Sequence, residues 1–213
     1  MERRMPNSIL APVASALAVL AGLVLVMASF SFGPLSAHMA LHIALMNVAA
    51  PLLAALLAPG GDVRPGRLWL LAALQIIALW AVHAPPVQRY LMASASLNVL
   101  AQVGLFLAAF CFWRALLRLA PNRRWHAIPV LALSGKLFCL LGVLLTFAPR
   151  LLFAMPSHAD ASHDLPAGLA DQQLAGLLMI TACPLSYLIA GVIMAAQIIR
   201  PAGALHPKPR DVR

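Results

Sequence analysis

Two histidines four residues apart, His38 and His42, are followed after four more residues by Met46. Positions four apart lie on one face of a helix, so these side chains form a stripe that descends about 12 Å along the helix axis. Imidazoles and thioethers both bind copper, and thioethers favour Cu(I). The stripe therefore predicts a metal site. The alternative is that interfacial histidines hydrogen-bond to their neighbours while Met46 packs against apolar groups.

Further candidate ligands fall near the same predicted membrane boundary. They are His83, His158, His163, Met39, Met92 and Met155. Of the seven histidines, only His126 and His206 fall at the opposite boundary. Because imidazole and thioether groups gather at one side, copper is the metal that the sequence favours. The expected ligands are His38, His42 and His83, with Met46 as a further candidate.

The elements that must position these residues are membrane helices. Hydrophobic residues make up 62% of the chain, charged residues only 10%, and the mean hydropathy is +0.90. Soluble domains carry about 25% charged residues, whereas a membrane span needs about 20 apolar residues. The sequence predicts an all-α integral membrane protein, a single domain over residues 1–213 with about six transmembrane helices. The predicted spans are 9–30, 39–58, 67–87, 97–117, 127–149 and 174–199, followed by a short basic tail at 200–213.

The cations predict the orientation of the bundle. Most Lys and Arg residues fall at the two termini and in alternate loops, whereas the opposite loops carry only Arg89 and Arg150. Since Lys and Arg in short loops stay cytoplasmic, both termini are expected in the cytoplasm. We expect a multi-pass protein of a bacterial inner membrane. The bias also accounts for the net charge of +9 without a nucleic-acid partner.

The first span admits a second interpretation. Arg3 and Arg4, an apolar run and small residues ending at Ala37 are similar to a signal peptide. The run is longer than the usual stretch of about 7–15 residues, and Leu35 stands where a small residue is preferred before cleavage. We expect a retained span, and the other five helices keep their orientation in either case.

Polar residues inside the predicted spans supply additional site candidates. Asn98 and Gln102 are four apart in the fourth span, where they could face the imidazoles as weak ligands or supporting groups, or simply form interhelical hydrogen bonds. Asn47 and Gln75 are expected to form only such interhelical bonds. Lys136 falls near the middle of the fifth span, where an intramembrane charge suggests function, although snorkelling toward the cytoplasm accounts for it equally well.

The sixth span begins with three polar residues, Asp171, Gln172 and Gln173. A carboxylate is favoured at a helix N-terminus, so Asp171 is expected to cap this helix. In the functional alternative Asp171 orients an imidazole or binds the cation. Gln172 and Gln173 would then support the helix start or act as weak ligands.

Catalytic and redox motifs do not occur in the sequence. Cys111, Cys139 and Cys183 are single and form no CxxC pair. There is also no GxSxG nucleophile elbow, HExxH zinc motif or Gly-rich phosphate loop. We therefore do not expect an enzyme.

Several motifs together resemble a known family. They are HMALH at 38–42, PLL at 51–53, FW at 112–113, LLTFAP at 144–149 and DQQLAGLLM at 171–179. In this order and spacing they are similar to the multi-span CtaG-type cytochrome c oxidase assembly proteins over residues 36–194. The segment at 171–179 is the most specific part of this resemblance.

The resemblance implies a role in maturing a haem-copper oxidase, linked to copper delivery at the outer face of the membrane. It implies oxidase subunits, membrane lipid and other copper chaperones as partners. The family commonly has a second HxxxH pair in the fourth helix, where this chain has Asn98 and Gln102. Two weak amides therefore replace two imidazoles. The alternatives that the residues leave open are a membrane haem or quinone redox protein and a metal transporter.

Overall fold

A computed structural model describes residues 32–57, 61–153 and 165–199, and all regular structure in these ranges is helical. The prediction of an all-α protein is thereby confirmed for the described residues. The predicted first span at 9–30 and the tail at 200–213 lie outside them. The helices are α1 Pro34–Leu56, α2 Pro65–Val82, α3 Pro85–Ala93, α4 Ala95–Leu117, α5 Ala127–Phe147 and α6 Leu165–Ile199.

Every described helix except the short α3 is long and apolar enough to cross a membrane, which gives five candidate spans. A 3-10 segment, Pro121–His126, leads directly into α5. Membrane insertion and the cytoplasmic position of the termini stay predictions from composition and charge.

Prolines set several helix boundaries differently from the predicted spans. Pro34, Pro65 and Pro85 each stand in the first turn of a helix, where the missing N–H would have no partner anyway. The predicted spans leave Pro34 in the break between 30 and 39 and include Pro85 near the end of the span 67–87. As a result α1 begins at Pro34 rather than at residue 39, and α2 ends at Val82 because Pro85 starts α3.

The bundle packs around one buried tyrosine of α6. Tyr187 is 2% exposed and its ring contacts Phe112, Trp113 and Phe138, with ring centroids 5.2–5.9 Å apart. Its hydroxyl accepts a hydrogen bond of 2.6 Å from Nε2 of Gln75. These contacts join α6 to α2, α4 and α5. They confirm the interhelical hydrogen bond predicted for Gln75.

Helix α6 packs mainly against α5 and α1, while α4 packs against α2 and the second half of α1. The closest approach is at Gly142 of α5 and Gly176 of α6, where a Cβ on either residue would come within 2.8 Å of the other's carbonyl oxygen. Small residues allow membrane helices to approach in this way. The start of α1, the end of α2 and the start of α4 meet at one end of the bundle, called here the histidine end.

The middle of α1 is a π-helical turn, Ala44–Ala49, and a proline lies two residues beyond it. The N–H of Ala50 bonds to the carbonyl of Leu45, five residues back. In this register the carbonyl of Met46 would pair with residue 51, but Pro51 has no N–H. The indole Nε1 of Trp113 donates to this carbonyl instead, at 3.0 Å.

The wide turn brings two residues into the interior. Met46 and Asn47 are 4% and 9% exposed, and the side-chain oxygen of Asn47 accepts a 3.1 Å hydrogen bond from Ser186 of α6. The interhelical bond predicted for Asn47 is therefore confirmed. π-helical turns occur frequently at functional sites, and this one lies one turn below His42.

The indole of Trp113 predicts a stability effect. Trp113→Phe keeps an aromatic ring but leaves the Met46 carbonyl without a donor, which costs about 1–3 kcal/mol for a buried polar group. We expect the free energy of unfolding in mixed detergent micelles, followed by circular dichroism, to fall by that amount. Trp125→Phe is the control because Trp125 is 57% exposed. An equal change in both variants would contradict this account of the π-helical turn.

Candidate metal site

Three imidazoles lie together at the histidine end. His38 and His42 come from the first turns of α1, and His83 directly follows α2. The ring centroids of His38 and His42 are 4.5 Å apart, and those of His42 and His83 are 5.4 Å apart. With metal–nitrogen distances of about 2.0–2.1 Å, two imidazoles on one ion have their centroids roughly 5 Å apart. The observed separations are close to this value.

The hydrogen bonds of His83 leave one nitrogen for a metal. Its Nδ1 lies 2.7 Å from the carbonyl oxygen of Leu79, so this nitrogen carries the proton and donates. In the neutral ring Nε2 then keeps its lone pair, and it lies 3.2 Å from the sulfur of Met39. Metal-binding histidines typically donate the other ring N–H to a carbonyl or carboxylate in this way. His83 is therefore oriented as a ligand.

His42 is the central and most unusual of the three. Its side chain is buried, at 6% exposed, and its Nδ1 is a buried atom with no hydrogen-bond partner in the part of the chain that the structure describes. A buried polar atom without a partner is costly. A water molecule or a metal ion on this nitrogen would remove the cost.

The three imidazoles surround a small space, called here the imidazole cavity. Its polar lining consists of His38, His42, His83, Gln88, Asn98 and Gln102. Its volume is about 10 Å³, which is close to the minimum for one water molecule. Nε2 of Gln102 lies 3.4 Å from Nδ1 of His38. Asn98 and Gln102 thus face the imidazoles, whereas a role as metal ligands stays a prediction.

The imidazoles do not by themselves complete a metal site. Within residues 32–57, 61–153 and 165–199, no three His, Cys, Asp or Glu side chains are arranged to hold a metal ion. A site here must therefore combine imidazoles with another ligand type. The sulfur of Met39, in contact with His83, is the nearest such group.

Asp171 lies apart from the imidazole cavity and has a different function from the one expected. It falls inside α6, which begins at Leu165, so it does not cap that helix. Its carboxylate accepts hydrogen bonds from the backbone N–H groups of Leu35 and Ser36, at 2.8 and 3.0 Å, and from the Ser36 hydroxyl. Asp171 therefore caps α1. A Cβ on Gly33 would collide with the carboxylate, so glycine is needed there.

The glutamines beside Asp171 also lie off the cavity. Gln172 is fully buried: its Nε2 donates to the carbonyls of Leu145 and Arg150, and its Oε1 accepts from the Leu152 N–H. The hydrogen bonds of its amide thus link the end of α5 to α6. Gln173 is exposed. Neither supports the start of α6, which lies earlier in the chain.

The remaining candidates are divided between the interior, the surface and the undescribed part of the chain. Met46 and His42 both line a second small cavity. Lys136 is exposed on α5 and lines an apolar groove of about 530 Å³ between α5 and α6. Met155, His158 and His163 lie outside the described residues, as does the side chain of Met92.

Two residues of the site were not identified from the sequence. Met39 was noted only for lying near the boundary, yet it is fully buried and contacts His83. Gln88 is not among the sequence candidates because the sequence prediction has no helix between the spans 67–87 and 97–117, where the structure has α3. Gln88 is 3% exposed and its Oε1 has no hydrogen-bond partner among the described residues.

The cap on α1 predicts a second stability effect. Asp171→Ala removes a charged acceptor from two backbone N–H groups, so we expect the free energy of unfolding to fall by about 1–3 kcal/mol in the same micelle assay. Gln173→Ala is the control on the same helix and should change it by less than about 0.5 kcal/mol. A change in Asp171→Ala no larger than that of the control would show that the cap is unimportant.

Comparison with known proteins identifies the family. The sequence profile of the cytochrome c oxidase caa3 assembly factors (Caa3_CtaG) matches residues 66–201, which is more than half of the chain and runs from α2 through α6. The match does not include His38 and His42 on α1. Neither a curated protein nor a solved structure matches the chain. The chain belongs to the cytochrome c oxidase caa3 assembly factor family.

Proposed function

We propose that this protein assists copper delivery to a haem-copper oxidase by holding Cu(I) transiently at the histidine end. The observation that carries the proposal is His42, a buried imidazole with an unpartnered Nδ1 between the imidazoles of His38 and His83. Copper is the cargo here rather than a resident cofactor. Imidazole suits copper in general, and the adjacent thioether of Met39 favours Cu(I).

The surroundings of the three imidazoles suit a ligand set that releases its ion. Asn98 and Gln102 line the cavity opposite the imidazoles, and their amide oxygens are weak ligands for a soft ion. The ion would therefore be held mainly by imidazole nitrogen and one thioether. A carrier must transfer its metal to a partner, so incomplete strong ligation favours a role in delivery over permanent storage. We propose no catalytic step at this site.

The dimensions of the cavity argue against haem at the same histidines. A haem between two axial imidazoles needs space for a porphyrin between the rings, but His42 and His83 have centroids only 5.4 Å apart. The cavity that they line measures about 10 Å³. A single ion or water fits this space, whereas a macrocycle does not.

The proposed location is the outer face of a bacterial inner membrane. The five candidate spans support a membrane protein. The described loops and helix ends opposite the histidines carry a cluster of arginines, at 64, 67, 114, 118, 123 and 124. Since cytoplasmic loops are rich in Lys and Arg, the histidine end would face outward. There it would meet an oxidase subunit and other copper chaperones, with lipid around the helices.

The proposal predicts a copper defect in the oxidase. In a strain that lacks the native protein and carries the His38→Ala/His42→Ala variant, purified oxidase should retain its haem but lose copper to the level of the strain without any complementing gene. Elemental mass spectrometry measures copper, and the absorption spectrum measures haem. The reason is that the variant has lost two of the three imidazoles that hold the cargo.

The control is His126→Ala, which removes a histidine stacked on Trp125 at the opposite end of the bundle. Oxidase from that strain should contain normal copper. The amount of each variant in the membrane is measured by immunoblot, so that loss of the protein is separated from loss of the site. Normal oxidase copper in the strain without the protein would overturn the proposed function.

A further inference from the structure

A second small cavity lies directly beneath the imidazole cavity. It is called here the sulfur cavity, and the side chains that can bind a metal in its lining are Met39, His42, Met46, Met179 and Cys183. Three of these residues come from α1, and Met179 and Cys183 are four apart on α6. The cavity measures about 10 Å³. It is thus an atom-sized space whose lining includes three methionines, one cysteine and one histidine, together with Ile43, Asn47, Leu79 and Phe138.

Methionine alone would not indicate a site, because it often fills gaps in apolar cores. Two observations separate this cavity from ordinary packing. Three of the nine methionines in the chain line the same small space, together with a buried cysteine. In addition, His42 with its unpartnered Nδ1 lines the same space. An imidazole without a partner beside four sulfur atoms is an incomplete set of soft ligands.

His42 connects the two cavities. Among the described residues it is the one side chain that lines both, and it has two ring nitrogens that can each bind a metal. Met39 provides a second connection, because its side chain lines the sulfur cavity and its sulfur lies 3.2 Å from Nε2 of His83. An ion leaving His38 and His83 can therefore exchange ligands stepwise toward Met46, Met179 and Cys183.

From this arrangement we infer that the sulfur cavity is a second, interior Cu(I) position, with Met46, Met179 and Cys183 as sulfur ligands and His42 as the ligand shared with the imidazole cavity. The inference rests on the proposed function, since it concerns the path of the same cargo. A cation at this depth in a membrane protein is costly. Cys183 balances the charge, because its thiol loses a proton to the buffer when its sulfur binds Cu(I), which leaves a neutral thiolate–copper pair.

The test is X-ray absorption at the copper edge on full-length protein in detergent, loaded anaerobically with Cu(I) as its acetonitrile complex. We expect a mixed shell of nitrogen with at least two sulfur atoms, more than the single thioether of Met39 that the imidazole site offers. The Met46→Leu/Met179→Leu variant should lose both thioethers and keep at most the sulfur of Cys183 or Met39. Since even a lost outer-shell partner weakens metal binding about 10- to 100-fold, its Cu(I) affinity in competition with a chromogenic chelator should fall by at least about tenfold.

Two controls keep the result interpretable. Met-to-Leu changes conserve volume and cost less than about 1.5 kcal/mol, so the variant should fold, and thermal unfolding checks this. Met194→Leu changes a buried methionine of α6 that does not line the cavity, and it should leave both the affinity and the sulfur shell unchanged.

The outcomes also separate this inference from the proposed function. A copper shell with no more than one sulfur atom, or an affinity of the double variant equal to that of Met194→Leu, overturns the interior position and leaves the imidazole site standing. If the full-length protein binds no Cu(I), both ideas fail. If His38→Ala keeps the sulfur shell with weakened nitrogen ligation, the interior position is supported as a separate site.

Discussion

The carboxylate of Asp171 fixes the beginning of α1, and the geometry of the histidine end depends on this interaction. The first N–H groups of a helix have no partners within the helix, and water is scarce at the edge of an apolar bundle. Asp171 supplies acceptors to Leu35 and Ser36 from α6, a different helix. His38 follows Ser36 within one turn and His42 follows in the next. A carboxylate far away in the sequence therefore sets the depth and direction of the imidazoles.

Deeper in the bundle, the backbone of α1 again needs a hydrogen-bond partner from another helix. A buried carbonyl needs a hydrogen-bond donor, and here the protein itself supplies it. Pro51 and the π-helical turn leave the carbonyl of Met46 without one in its own helix, and Trp113 of α4 supplies it. The same turn places Met46 in the sulfur cavity. A backbone irregularity and a candidate ligand therefore have a common cause.

The region that matches the family and the two histidines of α1 lie in different parts of the chain. The family match covers α2 to α6 and so includes His83, Asn98 and Gln102. The two imidazoles of α1 lie outside it, and the packing of α1 against α6 brings them beside the matched region. With imidazoles at the end of the bundle and methionines one turn deeper, the arrangement supports the proposed handling of a soft cation.

The sequence by itself determined the all-helical class, the family, the stripe of His38, His42 and Met46, and the hydrogen-bonding roles of Asn47 and Gln75. The helical class and the stripe follow from local regularities. The length of an apolar run and a spacing of four residues can be read without knowing which segments are in contact in the fold. The tertiary structure alone decided which groups Asp171 hydrogen-bonds to and which side chains lie near His42. Asp171 was expected to cap its own helix, but α6 starts earlier and the carboxylate meets the open end of α1 instead. Likewise Met39, Met179 and Cys183 are unremarkable in sequence, and only the packing of α1 on α6 places them in one cavity lining with His42. Helix spacing is encoded within one segment, whereas a cap or a ligand set requires atoms from segments that only the fold brings into contact.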